Sequence, residues 1–424
     1  MNFTARSLDA HPQAEHLRII LSAALAAADP TRAIRAQLAQ RSDWIVSARR
    51  VILLAVGKAG LCMAEAALPL LKDKLSGGLV ISKHAPLTTL GRIPVFEADH
   101  PIPGARSLEA GQHVVELISH LAPDDLLVCL ISGGASALMT APREGLTLTD
   151  LQIVTAALLT GGASIDELNA LRRRMDKLKG GGLAQLAAPA RVLSLILSDV
   201  VGDPLEVIAS GPTFPDPTTP AEIESILTRY KLTDQLPALP QNIVERDTIP
   251  LLPNRVQNVL VGSSAFAIQA AREEAERAGF HVQVLTTSLR GEARLAGREL
   301  AQNLRNAQTR PLCLLAGGET TVTVTGGGKG GRNQELALSA ALELDGVPDV
   351  MLLTFATDGD DGISGAAGAV VTGDTLARAR ALKLDVQDFL RRNDSFSFFS
   401  ALGDALITGP TGTNVNDLVL MFHF

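Results

Sequence analysis

Basic charge is in deficit: 38 lysines and arginines stand against 45 aspartates and glutamates in 424 residues, a formal net charge of −7. Phosphate backbones are bound through a basic patch, so nucleic acid is not expected as a partner. No apolar run approaches the roughly 20 residues that span a bilayer. Residues 1–30 lack the cationic start and unbroken apolar segment of a signal peptide. The expectation is a cytoplasmic protein with no membrane partner. Cysteine is scarce, and Cys62, Cys129 and Cys313 lie in apolar stretches with neither CxxC spacing nor a nearby histidine cluster. They read as small core residues of a reducing compartment. Aromatic residues are 3% of the chain and form no interface stripe, so the oligomeric state is open, with a homodimer as the candidate. Two nucleotide fingerprints are absent as well. No GxxxxGK[ST] occurs, which excludes the P-loop fold, and neither Gly57-Lys58-Ala59-Gly60 nor Gly262-Ser263-Ser264 matches GxGxxG, which weakens any nicotinamide reading.

Glycine, by contrast, is placed with purpose. Between an apolar run at 311–316 and a helix-like run at 336–344, the stretch 326–335 holds five glycines with Lys329 and Arg332 among them. Glycine reaches φ > 0 conformations that let backbone N–H groups crowd around an anion, and a helix starting near Asn333 adds its dipole. A flexible linker needs no such cations, so the stretch is expected to bind phosphate or carboxylate.

A chain of this length suits two domains. Helical spacing over 14–40 precedes a buried strand at 51–56, the turn Gly57-Lys58-Ala59-Gly60 and an alanine-rich helix at 61–71, the first half of a βαβ unit. Further strands are expected at 78–82, 125–131 and 192–197, the last two ending in Ser132-Gly133-Gly134-Ala135-Ser136 and in Ser198-Asp199 through Asp203. Such alternation implies a parallel sheet, which binds ligands beyond the carboxyl ends of its strands. Prolines at 215, 217, 220, 237, 240, 250 and 253 mark the boundary between domains at 1–240 and 255–424. A second α/β series follows, with strands at 256–261, 281–286, 312–316, 350–356 and 404–408 and a closing run at 418–422.

Of only nine lysines, Lys58, Lys179 and Lys329 lie beside glycines at element ends. Lys179 is explained by ordinary helix C-capping. Lys58, just past a buried strand, has no structural reason. Phosphoryl transfer needs cations on the moving group, a metal held by carboxylates and a group that orients the acceptor hydroxyl. Asp199, Asp203, Asp358, Asp360 and Asp361, all at strand ends, suit the last two tasks as a set, although any one alone reads as a cap or turn former. Hard oxygen ligands without a Cys/His cluster favour Mg2+. His100 is a general base or a substrate contact, or merely fixes its loop, and the Ser132 and Ser136 turn is suited to hold a phosphate or the substrate carboxylate.

Taken in order, Ala55-Val-Gly-Lys-Ala-Gly60, Asp99-His-Pro-Ile-Pro103, Ser132-Gly-Gly-Ala-Ser136, Leu197-Ser-Asp-Val200, Gly202-Asp-Pro204, Ala209-Ser-Gly-Pro-Thr213, Gly317-Gly-Glu-Thr320, Gly330-Gly-Arg-Asn-Gln-Glu335, Thr357-Asp-Gly-Asp-Asp-Gly362 and Gly412-Thr-Asn-Val-Asn-Asp417 resemble the type II glycerate kinases, whose C-terminal part is the MOFRL domain. The resemblance covers nearly the whole chain. It implies two α/β domains, a Rossmann-like parallel sheet in the first and a MOFRL-type fold in the second, with the active site in the interdomain cleft. It also implies small-molecule substrates, ATP and D-glycerate, with Mg2+-dependent phosphorylation at the 2-hydroxyl.

Carried over, the resemblance makes Lys58, Arg332 and Asp358 leading catalytic residues, with Asp199 or Asp358 orienting the hydroxyl. Substrate and nucleotide contacts fall on Gly57, His100, Ser132, Gly133, Gly134, Ser136, Gly318, Glu319, Thr320, Gly330, Gly331, Asn333, Asn414 and Asp417, and metal contacts on Asp203, Asp360 and Asp361. The rivals are a nicotinamide-dependent reductase of hydroxypyruvate or tartronate semialdehyde, and a non-catalytic binder of a phosphorylated metabolite.

Overall fold

The computed structural model describes residues 3–235, 243–244, 254–362 and 364–424. The boundary signals at Pro237, Pro240, Pro250 and Pro253 lie outside the described residues. The chain forms two compact units, one of Pro30–Val261 and one of Met1–Asp29 with Gly262–Phe424. This division differs from one at 240–255 in two ways. The first helices belong with the C-terminal residues, because helix Ala14–Ala27 packs on helix Ser264–Arg277 and buries Leu17, Ile20, Leu21 and Ala24. No local pattern reports a partner that distant in sequence. The strand at 256–262, expected to open the second series, instead completes the first sheet.

In the 30–261 unit the strands are β1 (Val51–Val56), β2 (Leu75–Ser82), β3 (Thr89–Leu90), β4 (Ile93–Glu97), β5 (Leu126–Ile131), β6 (Arg191–Leu197) and β7 (Val256–Gly262), in the order β3-β4-β2-β1-β5-β6-β7. β4, β2, β1, β5 and β6 pair in parallel, and the short β3 runs antiparallel to β4. Every residue of β1 and β5 is buried, as expected of parallel strands covered on both faces, and this is why they read as unbroken apolar runs. Register places Val56 beside both Ile81 and Ile131, and Ile131 beside Ile196. The turns after β1, β5 and β6 therefore emerge side by side at one sheet edge.

The other unit holds β8 (His281–Leu289), β9 (Leu312–Gly318), β10 (Val350–Ala356), β11 (Gly368–Thr372), β12 (Ala405–Leu406) and β13 (Asp417–His423), in the order β12-β11-β10-β13-β9-β8. Here only β8 and β9 are parallel, because the last strand inserts antiparallel between β9 and β10. That insertion sets Asp417 beside Ala356 on one side and Gly318 on the other. Helices Ala293–Asn306 and Arg332–Glu343 cover the sheet, with Leu300, Leu304, Leu336, Ala340, Leu352 and Met421 in one buried cluster.

Candidate active site

In the 30–261 unit two turns are laced together. The amide of Lys58 donates to Gly133 O at 2.9 Å, that of Ser132 to Val56 O at 3.0 Å, and that of Ala59 to Ser132 Oγ at 3.0 Å. Gly57, at φ 126°, admits no side chain, since a methyl there would lie 2.1 Å from Ser132 Oγ. Ser132 is itself buried. Its hydroxyl accepts from the Ala59 amide and so ties the two turns together across adjacent strands.

Three side chains converge over Gly133 and Gly134. A methyl on Gly133 would sit 1.7 Å from Asp199 Oδ2, and one on Gly134 would sit 3.1 Å from His100 Nε2 and 3.4 Å from Lys58 Cγ. Lys58 is exposed, and its ammonium has no hydrogen-bond or ion-pair partner among the described residues. Burial pushes the His100 imidazole below its ordinary pKa, and Lys58 and Lys83 push it further. It is neutral at pH 7, and its Nδ1 is buried without a hydrogen bond. An exposed cation, a neutral base and a carboxylate from three different strand ends thus meet over the Gly133–Gly134 turn, which suits transfer to a hydroxyl of an anionic substrate.

Ser136, half-buried, lies 2.8 Å from Ser210 Oγ, and Ser210 donates to Asn169 Oδ1 at 3.0 Å. Ala209, Ser210 and Gly211 are all left-handed, at φ 54°, 60° and 60°. The amides of Gly180 and Gly181 hold this turn by donating to Ser210 O at 3.0 Å and Gly211 O at 2.7 Å. Two non-glycine residues in this region are held there only by surroundings that over-determine them, a pattern frequent near functional sites. Lys179 is not a solvent-facing cap: it is 2% exposed and donates to Asp176 Oδ2 at 2.5 Å. The fold closes over the helix end at 175, which local sequence does not report.

In the other unit the strand-end cluster is built on Arg332, the first residue of helix Arg332–Glu343. Its Nε and Nη2 reach Asp417 Oδ2 and Oδ1 at 2.5 and 3.1 Å, and Nη1 reaches Glu319 Oε1 at 2.8 Å. Burial opposes the guanidinium charge, but the bonded Asp417 and then Glu319 more than offset it, and the pKa rises. Burial pushes Asp417 the other way, up to about 6 against the pull of Arg332. The bidentate contact holds the two as an ion pair at neutral pH.

The glycine stretch is less open than an anion cradle requires. The amides of Gly326, Gly328 and Lys329 donate to Asn393 Oδ1, Arg392 O and Asp394 Oδ1, at 2.9, 2.9 and 3.0 Å. A methyl on Gly326 or Gly328 would meet the 392–394 backbone or the Asp394 side chain at 2.3–2.6 Å, so these glycines serve close packing. Lys329 is exposed. Gly330 and Gly331 pack on Ser395 and Asp361, where a methyl would lie 2.2 and 2.3 Å from Ser395 Oγ and Asp361 Oδ1. Gly318, at φ 149°, packs on the Leu289 backbone, and Thr320 beside it is buried. Asn414 Oδ1 accepts from the Asn416 amide at 3.1 Å and shapes the turn that leads into Asp417.

The acidic set divides. Asp361, 3% exposed, accepts from the amides of Asn333 and Gln334 at 3.0 and 2.9 Å and from both of their side chains. It caps the helix that begins at Arg332, and both of its oxygens are engaged, so the expectation that it holds a metal does not fit its surroundings. Its pKa is raised by burial, against those four bonds. Asp358 and Asp360 are exposed; their Oδ1 atoms accept from the amides of Asp360 and Gly365 at 3.1 and 3.3 Å. Asp203 lies in the 30–261 unit at φ 56°. Among the described residues no group of three or more His, Cys, Asp or Glu is arranged to hold a metal ion. A protein-only cage is not what Mg2+ requires, since it binds through one or two carboxylates and the substrate phosphates. Asp361→Ala would strand buried donors at the helix start, and a loss of about 2 kcal/mol is expected from the urea midpoint of the variant.

Residues 16–245 match a domain of unknown function, DUF4147, and residues 312–417 match the MOFRL family. The chain is 39% identical to a D-glycerate 2-kinase of Thermotoga maritima over 95% of its own length and 96% of the relative's. It is also 39% identical to a putative hydroxypyruvate reductase of Agrobacterium vitis, over 95% of its length and 92% of the relative's. Among solved structures, a crystal structure of glycerate kinase from Thermotoga maritima matches with a TM-score of 0.87 at 38% identity, covering 97% of this chain and 99% of that one.

Proposed function

The chain belongs to the glycerate kinase family with a MOFRL domain, and on that premise we propose that it transfers the γ-phosphoryl group of ATP to the 2-hydroxyl of D-glycerate. The observation that carries this reading is the convergence of Lys58, His100 and Asp199 over Gly133 and Gly134 at the sheet edge. Asp199 orients the acceptor hydroxyl, and neutral His100 is placed to take its proton as the bond to phosphorus forms. Lys58 neutralises charge on the transferred phosphoryl group. Arg332, fixed by Asp417 and Glu319, supplies a preorganised cation at the strand ends of its own unit. Asp358 and Asp360, whose second oxygens have no protein partner among the described residues, would hold Mg2+. Bound there, the ion would supply charge neutralisation on the nucleotide phosphates.

Coupled detection of ADP with D-glycerate and Mg-ATP tests this, with 31P NMR of the product. The expected result is acid-dependent ADP formation and 2-phosphoglycerate. A 3-phosphate product would overturn the regiochemistry. Oxidation of NADH by hydroxypyruvate without ATP consumption would replace the kinase with the reductase that the Agrobacterium relative's name describes, although no GxGxxG turn follows β1 to support a dinucleotide.

A further inference from the structure

The 30–261 unit holds a chain of three polar side chains that ends beside the convergent cluster. Asn169, on helix Ile165–Met175, is 4% exposed, and Ser210 is fully buried. Ser210 donates to Asn169 Oδ1 at 3.0 Å, and its Oγ lies 2.8 Å from Ser136 Oγ. Ser136 is half-buried, and its hydroxyl makes no other hydrogen bond among the described residues. It sits in the helical turn that Gly134 opens, where the amides of Ala137 and Leu138 donate to Gly134 O at 3.0 and 3.2 Å. A methyl on Gly134 would lie 3.1 Å from His100 Nε2, so the outer end of the chain belongs to the turn over which Lys58, His100 and Asp199 meet.

The direction of the hydrogen bonds follows from the protons available. A carbonyl oxygen only accepts, so the single proton of the Ser210 hydroxyl is committed to Asn169 Oδ1. Ser210 then has only lone pairs for Ser136, and Ser136 must donate to make the 2.8 Å contact. Its proton is turned inward. A ligand therefore meets the lone pairs of Ser136 Oγ, an acceptor. The arrangement is held from behind: Ser210, at φ 60° between the left-handed Ala209 and Gly211, accepts at its carbonyl from the Gly180 amide at 3.0 Å. An outward acceptor is matched by a hydroxyl and repels the oxygens of a carboxylate or phosphate.

The geometry points to Ser136, oriented by Ser210 and Asn169, as the acceptor for the non-reacting 3-hydroxyl of the substrate. This rests on the kinase reading above and replaces the phosphate or carboxylate role expected for the Ser136 hydroxyl. With the 2-hydroxyl at Asp199 and His100, the other hydroxyl of D-glycerate is the one on the adjoining carbon. Ser136 is thus a specificity-determining contact, and Ser210 and Asn169 are positioning residues that do not touch the substrate. A 2-hydroxy acid with a methyl in place of the hydroxymethyl group leaves the Ser136 lone pairs without a donor.

Steady-state kinetics of the full chain with D-glycerate and with D-lactate, which lacks only the 3-hydroxyl, test it. The wild type is expected to prefer D-glycerate in kcat/KM, and Ser136→Ala to lower that preference about 30-fold with KM for ATP within about twofold of wild type. Asn169→Leu leaves the Ser210 proton no acceptor but Ser136 and so turns the Ser136 proton outward. It should lower the same preference without removing any group that meets substrate, whereas a merely structural loss would weaken both acids alike. An equal loss on the two acids in Ser136→Ala would mean that Ser136 serves the carboxylate they share, and a selective rise in KM for ATP that it serves phosphate. Either result, or an unchanged preference, would overturn the contact while leaving the kinase standing. An unchanged preference in Asn169→Leu would overturn the orienting role. Where D-lactate turnover is too slow to follow, its Ki against D-glycerate is read in its place. A wild-type chain that forms no ADP with D-glycerate would overturn the kinase and the contact together. Should Asn169→Leu fail to fold, Ser210→Ala, which removes the acceptor of the Ser136 proton, is read by the same ratio.

Discussion

Lys58→Ala is expected to lower kcat for D-glycerate phosphorylation by about a thousandfold, the scale on which removal of one preorganised charge from a developing transition state acts. The melting temperature should stay within about 1 °C of wild type, because surface substitutions away from structural partners shift stability little. The split follows from how the residue is held. Its backbone amide donates to Gly133 O at 2.9 Å and survives the change, while its side chain is exposed and makes no bond among the described residues. Arg332→Ala is the contrasting case. It removes a guanidinium that bridges Asp417 and Glu319, so turnover should fall on a similar scale and the buried Asp417 carboxylate, 5% exposed, is left without its cation. Stability should fall with it by about 3 kcal/mol. Equal melting temperatures for both variants, or near-normal kcat for Lys58→Ala, would refute this account.

The second large effect is expected at Gly133. A methyl there overlaps Asp199 Oδ2 at 1.7 Å and Cγ at 2.3 Å, but meets no backbone atom nearer than these. A carboxylate can swing aside, so the fold tolerates Gly133→Ala while the orienting group is displaced. A loss of about a hundredfold in kcat is expected with little change in Tm, since misplacement by about 1 Å is enough to lose that much positioning. Gly57→Ala differs in kind. At φ 126° the new side chain is strained and also meets the Ser132 carbonyl oxygen at 2.5 Å, so lower stability is expected to accompany lost activity. Circular-dichroism melting beside kinetics separates the two. If both variants melt alike, the contact at Asp199 is not what sets the cost.

Local chemistry made much of this legible. The strands at 51–56 and 126–131 are unbroken apolar runs and those at 191–197, 312–318 and 350–356 nearly so, because almost every residue in them is buried, and the glycine, serine and aspartate motifs stand at their ends. β4 was not legible, since Pro94 and Glu97 break the pattern at a sheet margin, and neither was β11, whose Gly-Ala start carries little side-chain signal.

By itself, then, the sequence determined the class of fold, the strand ends at which chemistry is placed and the motif series that marks the family, because each depends on residues near one another in the chain. Only the tertiary structure decided which of several like residues does what. Asp358, Asp360 and Asp361 are equivalent in sequence, yet a helix starting at Arg332 takes both oxygens of Asp361. Lys179 and Lys58 both sit beside glycines, yet one is enclosed with Asp176 and the other is exposed. Arg332 is set by Asp417, from a strand that returns to lie between β9 and β10. Burial and pairing between distant segments assign those roles, and both exist only once the chain has folded.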